Sequence, residues 1–147
     1  MTTPEGAVGR FTGAKAALFC GPAVLALHRD DRPGLPWRGM WDLPGGGREG
    51  DEGPEACLLR ELAEEFGLTL PATRLERCWL LPGMADPTKT AVFFAGRITP
   101  AEVGAVRFGS EGQGWALMPV AEFLTRPDAV PFLQDRLRLA LAAGFGG

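Results

Sequence analysis

The chain has 147 residues, 46% of them apolar and 22% charged, with a formal net charge of −3 at pH 7. That length suits one domain with its own core, and the mild acidic balance argues against a nucleic-acid groove or an anionic-membrane surface. One His, one Ser and no Tyr leave a serine triad only Ser110 and His28, and exclude a Tyr acid, base or nucleophile. In chain order, residues 1–12 are expected to be a mobile N-terminus of a single domain spanning 1–147. Apolar runs at Ala14–Cys20 and Ala23–His28, broken at Gly21-Pro22, predict two buried strands and a tight turn. Ala16–Leu27 imitates a secretory signal, but it is too short to span a bilayer and is interrupted by that turn. Arg29–Arg38 reads as a polar loop, Met40–Leu43 as a short strand and Pro44–Gly53 as a Gly-rich loop. Pro54–Phe66 predicts a helix, with Pro in its first turn and Gly67 just past its end. Leu75–Leu81, Ala91–Ile98 and Trp115–Met118 read as strands, Val120–Leu124 as a helical turn and Pro131–Ala143 as a second long helix. Without regular βαβ alternation, this order implies an α+β fold with a mixed sheet between helices. Cys20, Cys57 and Cys78 are odd in number and widely spaced, which fits three reduced, mostly buried thiols and a cytoplasmic protein.

The informative stretch is GGREGDEGPEACLLRELAEEFGL, Gly46 to Leu68. At 100° per residue, Glu61, Glu64 and Glu65 share one narrow helix face, and Leu58, Leu62 and Phe66 form the core-facing stripe beside it. Like charges at this spacing each cost a helix a few tenths of a kcal/mol. A solvated acidic face is one explanation. A hard divalent cation is another, because Mg²⁺ takes carboxylate oxygens, keeps several waters and bridges to phosphates. The Gly-rich loop before the helix lets backbone groups approach a metal or phosphate closely. It has no Lys and is not a Walker A loop, nor a GxGxxG dinucleotide loop.

The same residues resemble the Nudix box, Gx5Ex7REUxEExGU with U aliphatic, at every fixed position: Gly46, Glu52, Arg60, Glu61, Leu62, Glu64, Glu65, Gly67 and Leu68. The preceding Trp41-Asp42-Leu43-Pro44-Gly45 is similar to that family's strand-to-loop approach. The resemblance, of MutT type, implies an α/β/α sandwich around a mixed sheet. It further implies a Mg²⁺-dependent pyrophosphohydrolase, with Mn²⁺ as the alternative ion, that cleaves a nucleoside diphosphate linked to a group X. By position, Glu61, Glu64, Glu65 and the Gly45 carbonyl would be metal ligands, with Glu61 or a neighbouring glutamate as base. Arg60 and Glu52 would form the ion pair that aligns loop and helix.

Outside the box, Glu111 in Ser110-Glu111-Gly112-Gln113 resembles an extra metal-binding Glu of some MutT-type members. Arg29 is similar in place to a phosphate-contacting Arg, and Gly46 is a weaker substrate contact. Arg48 and Glu49 read as solvated loop residues, His28 as a satisfied strand residue, Cys57 as a small packing residue and the four Trp as core or rim. The expected partner is a nucleotide-type small molecule, without nucleic acid or membrane, and with a homodimer left open. A nucleoside triphosphate is the first substrate and ADP-ribose or another nucleotide sugar the second. No base-reading Asn is evident near the last helix, where Gln134 is the nearest amide. A non-catalytic nucleotide-sensing module is the competing class, and it expects a damaged box.

Overall fold

The computed structural model describes residues 11–147. β1 (Phe11–Cys20) and β2 (Ala23–His28) form a hairpin about Gly21-Pro22. The two strands pair only beside the turn, Phe19 with Val24 and Cys20 with Ala23. Beyond that point they part, and the segment Trp41–Gly47 fills the fork. Its β3 (Trp41–Asp42) pairs with the end of β2 and its β4 (Gly45–Gly47) with the start of β1. The Ala16 amide donates to the Pro44 carbonyl at 2.9 Å and ties down the middle of the segment. On its other edge β1 runs parallel to β6 (Thr90–Arg97), which is antiparallel to β5 (Leu75–Pro82). β7 (Gly114–Pro119) extends the sheet along β2.

Side chains alternate across the sheet as the period of two requires. Ala14, Ala16 and Leu18 of β1, with Leu25 and Leu27 of β2 and Val92 and Phe94 of β6, form one core. Ala17 and Phe19, with Val24, Ala26, Phe93 and Ala95, form the other. α1 (Pro54–Phe66) covers the first core with Cys57, Leu58, Leu62 and Phe66, all fully buried. Each such Leu or Phe contributes roughly 1.5–3 kcal/mol by leaving water. α1 ends at Gly67, whose φ of 66° suits a left-handed cap; its amide returns to the Ala63 carbonyl at 3.0 Å. The second core is covered by α3 (Val120–Thr125) through Phe123 and α4 (Pro131–Ala142) through Leu133, Leu137 and Ala140. The result is the expected α+β sandwich, a mixed sheet between helices.

Several expectations are corrected. Phe11 and Thr12 already belong to β1, and Phe11 is 2% exposed, so the expected mobile N-terminus over 1–12 does not reach them; residues 1–10 lie outside the described ones. Pro44–Gly53 is not all loop, since Gly45–Gly47 pairs with Gly13–Lys15. A short helix, α2 (Pro100–Gly104), starts at Thr99, whose hydroxyl accepts from the Glu102 amide while the Glu102 carboxylate accepts from the Thr99 amide. Of the three free cysteines only Cys57 is buried; Cys20 and Cys78 are half-buried. No helix is long and apolar enough to cross a membrane.

Candidate active site

A cleft of about 640 Å³ is lined by Glu61, Glu65 and Glu111 and also by Arg29, Lys89 and Arg136. β4 brings the Gly-rich loop against α1. At Gly45, φ is +127° and any Cβ would collide with the Ala14 carbonyl oxygen, so only glycine lets the two backbones meet. A Cβ at Gly46 would stand 2.7 Å from the Glu61 carboxylate, so its missing side chain is the space that Glu61 occupies.

The three helix carboxylates meet different surroundings. Glu65 faces inward and accepts the Gly45 amide at 3.0 Å. Burial pushes its pKa up to about 8, against the pull of Lys15 and of the Gly45 amide. Glu61 is also raised by burial, with Arg60 opposing. Glu64 lies at the solvent edge and takes Arg60 Nη1 at 2.9 Å. Arg60 is fully engaged: Nε and Nη2 reach the two Glu52 oxygens at 3.1 and 2.9 Å, Nη1 reaches Glu61 at 3.1 Å, and Nη2 also donates to the Gly47 carbonyl at 2.9 Å. Arg60 holds the Glu52 carboxyl down to about 2, and Glu52 in turn raises the guanidinium. Glu52 also accepts the Glu49 amide at 2.8 Å, and Glu49 itself reaches Arg60 at 3.3 Å. Arg48 donates to the Glu52 carbonyl at 3.0 Å and lies over the Phe11 ring, so neither residue is merely solvated. Cys57 Sγ approaches the Gly46 carbonyl at 3.7 Å, and burial pushes its thiol up to about 11.

The sequence reading missed Lys15 and Asp42. Asp42 is 2% exposed, and its carboxylate receives Lys15 Nζ at 3.0 Å and Arg29 Nη1 at 2.8 Å. Lys15 Nζ also donates to the Leu43 and Gly45 carbonyls at 3.3 and 3.1 Å. A Lys in an otherwise apolar strand was the available signal, because a buried ammonium needs partners. Arg29 lines the cleft, yet it is held by Asp42 and by the Pro36 carbonyl at 3.1 Å. Gln134 is not a base reader: its amide donates to the Phe123, Leu124 and Arg126 carbonyls at 2.9, 3.3 and 3.0 Å, closing the end of α3. His28 Nε2 donates to the Gly39 carbonyl at 3.0 Å, and the ring stacks on Trp41.

Glu111 is brought in from far along the chain. The Arg107 and Gly109 amides close the last carbonyls of α1, at Phe66 and Glu65, at 2.8 and 3.0 Å. Past Glu111, the Gln113 amide and side chain bind the His28 and Arg29 carbonyls at 2.7 and 2.8 Å. Glu111 itself is exposed at the cleft rim.

Among the described residues, no three His, Cys, Asp or Glu side chains meet in a ready-made metal cage. A hard divalent cation does not require one, since one or two carboxylates with waters and phosphates suffice. Glu61, Glu65 and the Gly45 carbonyl could provide that oxygen set, and the raised Glu65 and Glu61 are two poorly solvated carboxyls that a cation would relieve.

Known proteins resemble the chain in part of its sequence and in its fold. The RNA pyrophosphohydrolase of Acidiphilium cryptum is 46% identical over 56 residues, 37% of this chain and 33% of that protein. The 8-oxo-dGTP diphosphatase of Proteus vulgaris is 45% identical over 47 residues, 32% of this chain and 38% of that protein. The chain thus matches little more than a third of the length of these relatives. The MutT protein from Methanosarcina mazei Go1 superposes with a TM-score of 0.68 at 20% identity, covering 92% of this chain and 96% of that one. The NUDIX domain of Shewanella oneidensis NrtR complexed with ADP ribose gives 0.60 at 23% identity, covering 95% and 94%. At these identities the likeness is one of fold. The family model described as the NUDIX domain matches residues 11–139, most of the chain, and the chain belongs to the NUDIX domain family, in which divalent metal ions are generally used.

Proposed function

We propose that the chain is a Mg²⁺-dependent pyrophosphohydrolase that cleaves a nucleoside diphosphate linked to X, with a nucleoside triphosphate as the first substrate. The observation that carries this reading is the pair Glu61 and Glu65, two carboxyls raised by burial and packed on the Gly45–Gly46 backbone in the wall of an open cleft. The names of the RNA pyrophosphohydrolase and 8-oxo-dGTP diphosphatase relatives support a phosphoanhydride as the bond cleaved.

The cation, when bound, offsets phosphate charge and makes water more acidic. The chain supplies the rest. Glu61, Glu65 and the Gly45 carbonyl would hold the ion, and Glu64 would join them only by leaving Arg60. Arg60 fixes Glu61 and the Gly47 carbonyl in one frame with Glu52, so loop and helix keep their spacing. Lys15 offsets the charge of the inward carboxylates and steadies the Gly45 carbonyl. Glu61 or Glu111 accepts the proton of the attacking water, and Arg29 at the rim contacts phosphate while Asp42 orients it.

The test is a panel of nucleoside triphosphates, nucleotide sugars and dinucleoside polyphosphates, with Mg²⁺, Mn²⁺ or EDTA and identified products. Nucleoside monophosphate formed only with metal is expected. Cleavage that EDTA leaves untouched overturns the mechanism. Nucleotide binding without any turnover across the panel favours the sensing module instead.

A further inference from the structure

α4 carries a charge that the hydrolase reading leaves unused. Arg136 is 6% exposed, and it lies on the helix next to Leu133, Leu137 and Ala140, which are fully buried. Its Nη2 donates to the Pro82 carbonyl at 2.7 Å. Among the described residues no carboxylate pairs with it: neighbouring Asp135 pairs with Arg138 at 3.0 Å, and Asp86 accepts Thr88 at 2.6 Å. Burial lowers its pKa below the ordinary guanidinium value, the direction expected when a cation is desolvated without an anion. A buried charge without a counter-ion is costly, so evolution removes it or gives it a partner.

The side chain lines the catalytic cleft, with Lys89 also on that cleft. It stands where the cleft continues into a groove lined by Leu81, Met84, Phe132 and Leu139. The other buried or half-buried cations of the site are already satisfied, Lys15 and Arg29 by Asp42 and Arg60 by four carboxylates. A guanidinium presents a planar fork that matches phosphate oxygens.

We propose that Arg136 binds a phosphate of the substrate, on the wall of the cleft away from the box glutamates, and so helps select which group X is accepted. This rests on reading the cleft as a phosphoanhydride hydrolase site. The guanidinium takes the phosphate oxygens through the donors that Pro82 leaves available. The phosphate supplies the negative charge that none of the described carboxylates provides.

Inorganic pyrophosphate in EDTA is the probe, followed by titration calorimetry on the whole chain, so that neither metal nor turnover enters the measurement. Arg136→Met should weaken pyrophosphate roughly ten- to a hundredfold, the range of a lost charge-assisted hydrogen bond. Its melting temperature should stay level or rise, because an apolar side chain replaces an uncompensated charge. Arg136→Lys keeps the charge without the fork and should lie between parent and Met; it carries the test if the Met variant does not fold. Pyrophosphate affinity within twofold of the parent in the folded variants overturns the inference and leaves Arg136 a structural tie to Pro82. An Arg136-dependent site in a protein that cleaves nothing overturns the hydrolase reading alone. Turnover with an Arg136-independent site overturns this inference alone.

Discussion

Arg60 and Arg136 stand on the two helices that sandwich the sheet, and the fold treats them in opposite ways. Arg60 on α1 is partly exposed and surrounded by Glu49, Glu52, Glu61 and Glu64. Arg136 on α4 is 6% exposed and, among the described residues, meets one carbonyl. A guanidinium whose donors are all spent on its own chain serves architecture. One that is buried and short of an anion points to a ligand. The cleft draws on both helices: Glu61 and Glu65, braced by a saturated Arg, and Arg136 among its other lining residues.

The largest effect should come from the acidic wall itself. Glu61→Gln and Glu65→Gln keep shape but lose charge, and kcat/KM in Mg²⁺ should fall about a thousandfold, several kcal/mol of charge stabilisation. Both variants should stay folded by circular dichroism. Full activity in both would reduce the wall to a solvated face.

Arg60→Ala separates architecture from ligand binding most sharply. It should cost about a hundredfold in rate, since a displacement of about 1 Å in catalytic groups has that effect. Unlike Arg136→Met, it should also lower the melting temperature, because Glu52, Glu61 and Glu64 lose their common partner. A variant as stable and active as the parent would remove the distinction between the two arginines.

Glu111→Gln tests whether the rim belongs to the acidic wall. We expect about a tenfold loss in kcat with little change in KM. Stability should stay within about 0.5 kcal/mol, as for a surface substitution.

Stability against pH in EDTA tests the burial of the acidic wall without metal or turnover. Folding raises the Glu65 carboxyl from 4.5 to about 8, so the folded chain holds a proton that the unfolded chain releases. Stability from this group is therefore full below pH 4.5 and declines as pH rises toward 8. Glu52 acts oppositely: lowered from 4.5 to about 2, it contributes above 4.5 and loses its contribution as pH falls toward 2. Urea midpoints of the parent and of Glu65→Gln between pH 5 and 8 should converge at the acid end. Parallel curves would show that burial does not govern Glu65.

The helix and its carboxylates were legible because their spacing is local: Leu58, Leu62 and Phe66 mark the buried stripe, and Pro54 and Gly67 mark the ends. What escaped depends on partners far along the chain. Three consecutive glycines read as loop, yet β1 pairs with them because Gly13 leaves room for the Gly46 carbonyl. Asp42 is written 27 positions from Lys15, and no period links them. Arg136 falls on the buried stripe with Leu133, Leu137 and Ala140, but no local spacing shows that it reaches the Pro82 carbonyl, 54 positions away. Gln134, the nearest amide for reading a base, is spent on the carbonyls of a helix that itself could be read from the sequence.

The end of α1 is finished by the segment before Glu111 rather than by its own residues alone. Amides of Arg107 and Gly109 take the carbonyls that the last turn leaves open, and a Cβ at Gly109 would strike the Glu64 carbonyl. Opening that segment therefore exposes helix carbonyls, and fraying the helix releases the segment. The two behave as one cooperative unit in local unfolding. Amide hydrogens of Arg107 and Gly109 should then exchange with solvent in step with those of the turn that carries Glu65. The arm that presents Glu111 is thus tethered to the stability of the box helix, and an insertion between Val106 and Ser110 would disturb both carboxylates at once.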